Sequence, residues 1–279
     1  MSTPSATATT TASSGTGPLG IALVTGASTG IGAVYAERLA RRGYDLILVA
    51  RNEARLREVA QRIRTATGRQ VFAQIADLNN ARDRAQIEET LRSNPGITLL
   101  VNNAGVAASA PLGQADADAM EQMIDLNVTA LTRLTLAAIP GFTARGKGTI
   151  INIASVLGLA PELFNGIYGA SKAYVIAFTQ ALANELKEKN VRVQAVLPGA
   201  TATPIWDLIG VPTHTLPEGW VMPVEDMVDA ALAGLDQGEV ITIPPLHDKA
   251  LWETYDAARH AMRDKLSTSV PAPRYLRAS

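Results

Sequence analysis

Short apolar runs alternate with longer amphipathic stretches along the chain from residue 20 onward. Several runs are apolar at consecutive positions, as in Leu46, Ile47, Leu48 and Val49. Consecutive apolar residues are typical of strands that are covered on both faces, whereas a strand with one solvated face alternates apolar and polar positions. The pattern predicts strands at 20–25, 45–50, 70–75, 97–101, 148–153, 191–196 and 239–243.

Between these strands, apolar residues recur every three or four positions, which predicts helices. Asn52 and Asn80 precede two of the helices as caps, and Gly43 and Gly68 follow two of them as stops. The predicted helices are 31–42, 53–67, 81–93, 116–139, 169–189 and 224–236. Strand–helix–strand repetition implies right-handed crossovers. The expected fold is therefore α/β, a single domain with a doubly wound parallel sheet of about seven strands flanked by helices.

Three segments depart from this repeat. Residues 1–18 are mainly Ser, Thr, Ala and Gly, which bury too little apolar surface to fold, so a disordered N-terminal tail is expected. Residues 201–222 contain three prolines and two glycines with Trp206 and Trp220, a composition typical of a mobile loop or lid. Residues 246–279 are predicted to form a C-terminal helical tail, with a helix at 251–266, after a main domain at 19–245.

Composition excludes several classes of function. The 279 residues carry a formal net charge of −1, too little to steer the chain onto nucleic acid or an anionic membrane. There is no cysteine, and His214, His247 and His260 are far apart, so neither a disulfide nor a metal site is expected. The N-terminus lacks a signal or transit pattern and no apolar run reaches about 18 residues, which favours a cytoplasmic protein without a membrane or nucleic-acid partner.

A glycine-rich turn follows the first predicted strand and opens the first predicted helix. It reads Thr25-Gly26-Ala27-Ser28-Thr29-Gly30-Ile31-Gly32. Three glycines allow a tight turn and close backbone approach to a pyrophosphate, whose charge would sit at the positive helix N-terminus. The alternative is a turn that only reverses the chain, but strand, turn and helix stand in the order that dinucleotide binding requires.

This turn resembles the T-G-x-x-x-G-x-G signature of the short-chain dehydrogenase/reductase family, and further motifs follow in that family's order over residues 20–245. They are Asp77-Leu78, Asn102-Asn103-Ala104-Gly105, Asn127, Ser155, Tyr168-x-x-x-Lys172 and Pro198-Gly199. The resemblance implies a Rossmann fold and an oxidoreductase that moves a hydride between a nicotinamide and a small-molecule ketone or secondary alcohol. It also implies a homodimer or homotetramer formed through helices 116–139 and 169–189.

The end of the second strand favours NADP(H) as the cofactor, with NAD(H) at lower preference. An acid there would bind the ribose 2′-hydroxyl of NAD, whereas Arg51 follows the strand directly and can accept a 2′-phosphate. Glu53 would weaken this preference unless its side chain points along the next helix. The resemblance implies cofactor contacts at Gly26, Ser28, Thr29, Gly30, Ile31, Gly32, Asp77, Leu78, Asn103, Ala104, Gly105, Tyr168, Lys172, Pro198, Gly199, Thr201 and Thr203.

Tyr168 and Lys172 are four residues apart and share one face of a predicted helix. Ketone reduction needs an acid at the carbonyl oxygen, and a neighbouring ammonium is expected to lower the pKa of a tyrosine below its usual value of about 10. The resemblance implies that Tyr168 is the general acid/base and that Lys172 also binds the nicotinamide ribose. It implies further that Ser155 orients the carbonyl and that Asn127 holds a water linked to the lysine.

The substrate is less determined by the sequence. The resemblance places Leu157, Phe164, Ile205 and Trp206 beside Ser155, where they would form a pocket for a bulky apolar ketone. Packing in the core or the loop explains these apolar residues equally well. A 3-oxoacyl-thioester reductase and a steroid-type reductase remain open as alternatives, as does a regulatory or scaffold protein that binds dinucleotide without turnover.

Overall fold

The computed structural model describes residues 19–276, so the tail predicted at 1–18 lies outside the described residues. The chain divides into two compact units, of which the first ends at Pro244 and the second begins at Pro245. The first unit contains every motif named above, and it is described first.

Seven parallel strands form one sheet in the order β3-β2-β1-β4-β5-β6-β7. The strands are β1 (Ile21–Thr25), β2 (Asp45–Ala50), β3 (Val71–Ile75), β4 (Ile97–Asn102), β5 (Gly148–Ile153), β6 (Val191–Val196) and β7 (Ile241–Thr242). All the predicted strands are present, and the predicted α/β fold with a doubly wound parallel sheet is confirmed. The last strand is shorter than its apolar run.

Helices connect the strands on both faces of the sheet. They are α1 (Gly30–Arg41), α2 (Glu53–Thr67), α3 (Ala81–Ser93), α4 (Ala117–Ile124), α5 (Leu131–Arg145), α6 (Gly166–Glu185), α7 (Ile205–Leu208) and α8 (Val224–Asp236). The single helix predicted at 116–139 is instead α4 and α5 separated by a π-helical turn at Asp125–Ala130. The helix predicted from 169 begins three residues earlier, because Asn165 caps it.

Alternating side chains along each strand divide the core into two layers. On β2, Leu46 and Leu48 pack into one apolar cluster, whereas Ile47 and Val49 pack into the other. The first cluster collects the apolar faces of α1, α2 and α8, and the second collects those of α3, α5 and α6. Burying each such side chain stabilises the fold by about 1.5–3 kcal/mol. Burial on both faces is the reason why the strands are apolar at consecutive positions.

The strand order changes direction at β1 and β4, which are neighbours in the sheet. The connections that leave these two strands run to opposite sides and open a crevice at their carboxyl ends. There the Thr25 hydroxyl donates to the Val101 carbonyl oxygen at 3.2 Å. The Thr25 hydroxyl oxygen in turn accepts from the backbone N–H groups of Asn103 and Ala104, both at 3.0 Å. These bonds join the ends of the two strands and hold the crevice in one shape.

The second unit contains α9 (Lys249–Ala261), which is followed by a 3₁₀ turn at Arg263–Lys265. Helix α9 starts two residues before the predicted helix because the Asp248 side chain accepts from the Ala250 backbone N–H at 2.9 Å. Within residues 19–276, no helix is both long and apolar enough to span a membrane. The same residues contain no group of three or more His, Asp or Glu side chains arranged to hold a metal ion.

Candidate active site

The glycine turn after β1 has a backbone shape that favours glycine. Gly26 and Gly30 have φ angles of 65° and 54°, in the left-handed region that side chains disfavour. A Cβ atom on Gly32 would lie 2.4 Å from the Gly26 carbonyl oxygen. The turn is therefore closed tightly on itself, and any side chain at Gly32 would force it to move.

Helix α1 starts at this turn without a side-chain cap. Thr29 occupies the cap position, but its side chain makes no capping hydrogen bond with any residue that the structure describes, and the first turn carries no acid. Asn52, Asn80 and Asn165, in contrast, cap α2, α3 and α6 with side-chain oxygens. The first N–H groups of α1 and its dipole are thus suited to an anion such as a pyrophosphate. The other predicted contacts of this turn are partly exposed in the crevice: Ser28, Thr29 and Ile31.

The Asn103 side chain supports the turn. Its Nδ2 atom donates to the carbonyl oxygens of Thr25 at 2.9 Å and of Gly26 at 3.2 Å. The family resemblance implies that Asn103, Ala104 and Gly105 contact the cofactor, and it does not imply any role for them in supporting the turn. The supporting role was missed because it depends on β1 and β4 being neighbours in the sheet.

Arg51 lies at the end of β2, where the adenosine ribose is expected. Its Nη1 atom is 3.9 Å from Oδ2 of Asp77, and both side chains are exposed, so this ion pair contributes little stability and leaves Arg51 available to a phosphate. The Glu53 carboxylate pairs with Arg57 along α2 at 2.8 Å and is therefore directed along that helix. Leu78, the residue after Asp77, is buried.

The segment after β6 approaches both halves of the crevice. The Pro198 carbonyl oxygen is 3.5 Å from the Ser155 hydroxyl that donates to it. A Cβ atom on Gly30 would lie 3.3 Å from Cγ2 of Thr203, so Thr203 lies beside the glycine turn. The two other predicted contacts of this segment are joined by a 3.1 Å hydrogen bond from Thr201 Oγ1 to the carbonyl oxygen of Gly199.

Tyr168 lies in the first turn of α6, and its hydroxyl is hydrogen-bonded to Ser155. Ser155 comes from the end of β5 and is buried. Lys172, one turn further along α6, is also buried, and its Nζ atom donates to the Ile153 carbonyl oxygen at 2.9 Å. The Nζ atom is 5.7 Å from the centre of the Tyr168 ring. The fold therefore brings these three predicted catalytic side chains together from β5 and α6.

Burial dominates the acidity of this pair. It raises the pKa of Tyr168 to about 12, and the hydrogen bond with Ser155 opposes that rise. Burial also lowers the pKa of Lys172 to about 8. The prediction that Lys172 holds the pKa of Tyr168 below 10 is therefore wrong for the chain by itself, because the ammonium is turned toward the Ile153 carbonyl oxygen. At neutral pH both groups are protonated, which is the state that a proton donor needs.

Asn127 lies in the π-helical turn between α4 and α5, and its side chain is buried. Its Oδ1 atom accepts from the Val106 backbone N–H at 3.0 Å, and its Nδ2 atom donates to the Val106 carbonyl oxygen at 2.9 Å. A Cβ atom on Gly105 would lie 3.0 Å from Asn127 Oδ1 and 3.6 Å from Lys172 Nζ. The glycine thus leaves space between these two polar groups, as a linking water would require. π-Helical turns are frequent at functional sites.

The predicted pocket residues come from two sides of the crevice. The Phe164 ring meets the Tyr168 ring edge-on, with 6.2 Å between their centres. Leu157 follows Ser155 in the loop after β5, and Ile205 and Trp206 lie on α7. All four apolar side chains are partly buried. This degree of burial is intermediate between that of the core and that of a free surface, as the wall of a cleft requires.

Asn165 was missed among the site residues. Its side chain caps α6 and also donates to the Ala110 carbonyl oxygen at 2.7 Å. The apolar periodicity of α6 starts only at residue 169 and does not reach it. The signal that could have identified it is an Asn directly before the helix, since Asn is a preferred capping residue.

A protein-family model described as short chain dehydrogenase matches residues 20–210. The chain belongs to the short chain dehydrogenase family. The match spans the glycine turn, Tyr168 and Lys172, and it identifies the protein as an oxidoreductase of the kind that acts on CH–OH groups. Membership of this family agrees with the crevice geometry, in which the turn and the tyrosine helix open toward the same space.

Three relatives of this short chain dehydrogenase give the extent of the likeness. An uncharacterized oxidoreductase of Staphylococcus saprophyticus is 39% identical over 186 residues, which are 66% of this chain and 80% of the relative. A solved short-chain dehydrogenase from Sphingobium yanoikuyae, in complex with NADPH, is 49% identical and superposes with a TM-score of 0.89. The match covers 92% of this chain and 100% of the solved chain. A solved bulky-bulky ketone specific alcohol dehydrogenase from Comamonas testosteroni is 45% identical with a TM-score of 0.86. That match covers 93% of this chain and 99% of the solved chain.

Proposed function

We propose that this short chain dehydrogenase is an NADP(H)-dependent carbonyl reductase that interconverts bulky apolar ketones and secondary alcohols. The observation that carries the proposal is the convergence of Tyr168, Ser155 and Lys172 at the crevice where α1 begins without a cap. An anionic cofactor at the start of α1 and a proton donor on α6 are the two parts that carbonyl reduction needs.

The residues present fit NADPH. The close contact between Gly32 and the Gly26 carbonyl oxygen and the uncapped start of α1 provide a seat for the pyrophosphate. Arg51 provides a cation for the 2′-phosphate, and Glu53 does not oppose it because that carboxylate pairs with Arg57. The relative from Sphingobium yanoikuyae, solved with NADPH, supports the same choice.

The chain supplies the proton and the orientation of the substrate, while NADPH supplies the hydride when it is bound. Tyr168, protonated at neutral pH, donates the proton of its hydroxyl to the carbonyl oxygen as negative charge develops there. The Ser155 hydroxyl, beside Tyr168, donates to the same oxygen when its proton turns away from the Pro198 carbonyl oxygen, 3.5 Å away, and so orients the carbonyl. The ammonium of Lys172 stabilises the phenolate left on Tyr168 once it turns from the Ile153 carbonyl oxygen toward that hydroxyl.

The apolar wall supports a bulky ketone as the substrate. The Phe164 ring meets the Tyr168 ring, the Leu157 backbone N–H donates to Ser155 Oγ at 3.1 Å, and Trp206 lies in the loop 201–222, which supports a wall of large apolar groups beside the proton donor. Burying such groups against an apolar substrate contributes binding free energy in proportion to the area removed from water. The Comamonas testosteroni relative, which is specific for bulky-bulky ketones, supports this choice.

A substrate panel tests the proposal. The purified protein is assayed with NADPH and with NADH against a small ketone, a bulky apolar ketone, a steroid ketone and a 3-oxoacyl thioester. We expect the highest kcat/KM with the bulky ketone and NADPH. A higher kcat/KM with the thioester or the steroid would show that the substrate class is a 3-oxoacyl thioester or a steroid and not a bulky apolar ketone. NADPH binding without turnover of any carbonyl would support the scaffold alternative.

Trp206→Ala tests the pocket within the same panel. Removing the indole should change the ranking of ketones by size while NADPH affinity stays the same, because Trp206 is proposed to line the substrate pocket and not the cofactor site. Trp220→Ala is the matched control, since Trp220 belongs to the same loop but is 65% exposed. If both variants keep the parent ranking, Trp206 only packs the loop.

We also propose that the protein is a homodimer or homotetramer associated through α4, α5 and α6. Ile124, Leu136 and Tyr174 expose apolar surface on these three helices. An apolar groove of about 480 Å³ runs beside them, lined by Leu112, Ile124, Val128, Gly166, Ile167, Ala170 and Ser171. Light scattering should give a molar mass for the parent protein that is two or four times that of one chain. Leu136→Glu should lower this measured mass. A monomeric parent protein would exclude the association.

A further inference from the structure

Residues 106–110, which follow β4 and are called here the strip, are hydrogen-bonded to three other parts of the main unit, twice through side chains of those parts and once through the strip's own Ser109. Asn127 bonds both backbone groups of Val106 at one end of the strip. Asn165 donates to the carbonyl oxygen of Ala110 at the other end. Between them, the hydroxyl of Ser109 donates to the Ile209 carbonyl oxygen at 2.8 Å. The strip therefore connects the π-helical turn, the start of α6 and the loop 201–222.

Asn165 uses both atoms of its amide group. Its Oδ1 atom accepts from the backbone N–H groups of Ile167 and Tyr168, each at 3.1 Å, and its Nδ2 atom donates to Ala110 at 2.7 Å. The residue is only 4% exposed, so these bonds are made away from competing water. One buried amide group thus fixes the turn that carries the tyrosine and the adjacent strip at the same time.

The loop 201–222 is tied down at its base and touches the strip beyond α7. A parallel bridge joins Thr201 to Met222, and the Trp206 indole N–H donates to the Thr201 carbonyl oxygen at 2.8 Å. Ile209 follows α7 and is the residue that Ser109 holds. A movement of α7 relative to this base is therefore passed to the strip through the Ser109 hydrogen bond.

We propose that Asn165 is a positioning residue that couples the loop 201–222 to Tyr168 through Ala110 and Ser109. A ketone large enough to hold the loop against the strip also holds the Asn165 amide group, and with it the first turn of α6, in the geometry of proton transfer. A small ketone does not hold the loop against the strip, so its kcat is increased less by this coupling. The proposal rests on the proposed function in one respect, namely that Tyr168 is the proton donor.

Asn165→Asp separates the two bonds of this residue. The carboxylate keeps an oxygen that caps α6, but it loses the donor and places negative charge against the Ala110 carbonyl oxygen. We expect kcat for a bulky ketone to fall about tenfold, with a smaller loss for a small ketone and an unchanged Kd for NADPH. Equal losses with both ketones, or no loss, would overturn the coupling.

Asn80→Asp is the matched control. Asn80 caps α3 in the same way, with its oxygen accepting from the backbone N–H groups of Arg82 and Asp83, but it is exposed. The same chemical change there should leave the ratio of kcat values for the two ketones as in the parent. A shift of that ratio in the control as large as in Asn165→Asp would show that the effect is not specific to the strip.

Ser109→Ala removes the other bond from an exposed position, and it therefore serves even if the change at Asn165 prevents folding. Alone it should reduce the kcat advantage of the bulky ketone as Asn165→Asp does. Because both bonds belong to one connection, the double variant should lose little more than the larger single loss. If the fold loss in kcat of the double variant equals the product of the two single losses, the two residues act independently, and this would overturn the proposal.

Hydrogen exchange tests the connection without turnover. In the full chain with no substrate, Asn165→Asp should increase amide exchange in residues 203–211, to which the hydrogen bonds of the described residues connect Asn165 only through the strip, whereas Asn80→Asp should not. Unchanged exchange in that segment contradicts the coupling. If the parent protein reduces no ketone but the exchange increases as expected, the proposed function fails and the coupling stands, so the two failures are distinguishable.

Discussion

Helices α1 and α6 both begin at the crevice, but their first turns are built in opposite ways. The start of α1 follows a turn with two left-handed glycines, and its cap residue Thr29 makes no capping bond with the residues described. The start of α6 is closed by Asn165, whose oxygen accepts from two backbone N–H groups. One helix offers its N–H groups to a ligand, and the other uses a side chain of the protein itself.

The difference follows from what each helix start must hold. An anion is stabilised by free N–H groups and by the positive end of the helix dipole, so a cap on α1 would compete with it. The first turn of α6 carries Tyr168, whose hydroxyl must stay in one position relative to Ser155, so a cap that rigidifies this turn serves it. We therefore expect changes on the α1 side to alter cofactor affinity, and changes on the α6 side to alter turnover.

Tyr168→Phe gives the largest expected effect on this comparison. The ring and its contact with Phe164 remain, but the proton is lost, so kcat should fall by about 10²-fold or more while the Kd for NADPH stays near the parent value. Steady-state kinetics and a fluorescence titration measure the two quantities. Gly32→Ala should do the reverse and weaken NADPH binding first, because its Cβ atom would lie 2.4 Å from the Gly26 carbonyl oxygen. A near-normal rate in Tyr168→Phe would place the acid elsewhere.

Arg51→Asp sharpens the comparison on the cofactor side. Losing a charge-assisted bond to the 2′-phosphate and adding a repelling carboxylate should reduce kcat/KM with NADPH about 10- to 150-fold and erase or reverse the preference over NADH. Arg62→Asp is the control, because Arg62 is an exposed arginine on α2, nine residues beyond Glu53, and the same change of charge there leaves the pair of Glu53 with Arg57 intact. Equal use of both cofactors by the parent protein contradicts the assigned role of Arg51.

The pH dependence gives a smaller and more gradual effect on the catalytic side. Because burial lowers the pKa of Lys172 to about 8, ketone reduction should decline above that pH, by about tenfold per unit once the ammonium is lost. Tyr168, with a pKa of about 12, keeps its proton through this range. Activity that stays constant up to pH 10 would show that the charge of Lys172 is not needed.

Stability provides the control for that pH profile. In the unfolded chain the lysine holds its proton up to its ordinary pKa of 10.5, so the unfolded state binds more protons than the folded state between pH 8 and 10.5. The contribution of Lys172 to the free energy of unfolding therefore increases as the pH rises through this window. Chemical denaturation at each pH separates a loss of activity from a loss of fold.

Local patterns were enough to predict the α/β fold and the residue types of the site. Apolar runs at 45–50 and 148–153 match β2 and β5, because strands buried on both faces must be apolar at every position. The turn from Gly26 to Gly32 was recognisable because its left-handed φ angles and close contact favour glycine. These features depend on neighbours in sequence, so the sequence alone carried them.

Other features depend on residues that are distant in sequence. The Asn103 support of the turn, the Asn127 clamp on Val106 and the bond from Asn165 to Ala110 each join segments that meet only after the sheet has formed. The acidities of Tyr168 and Lys172 also follow from burial, which no spacing of residues encodes. The sequence set which chemical groups face the crevice. Packing across β1, β4 and α6 set their protonation and their connections, because long-range contacts and desolvation exist only in the folded chain.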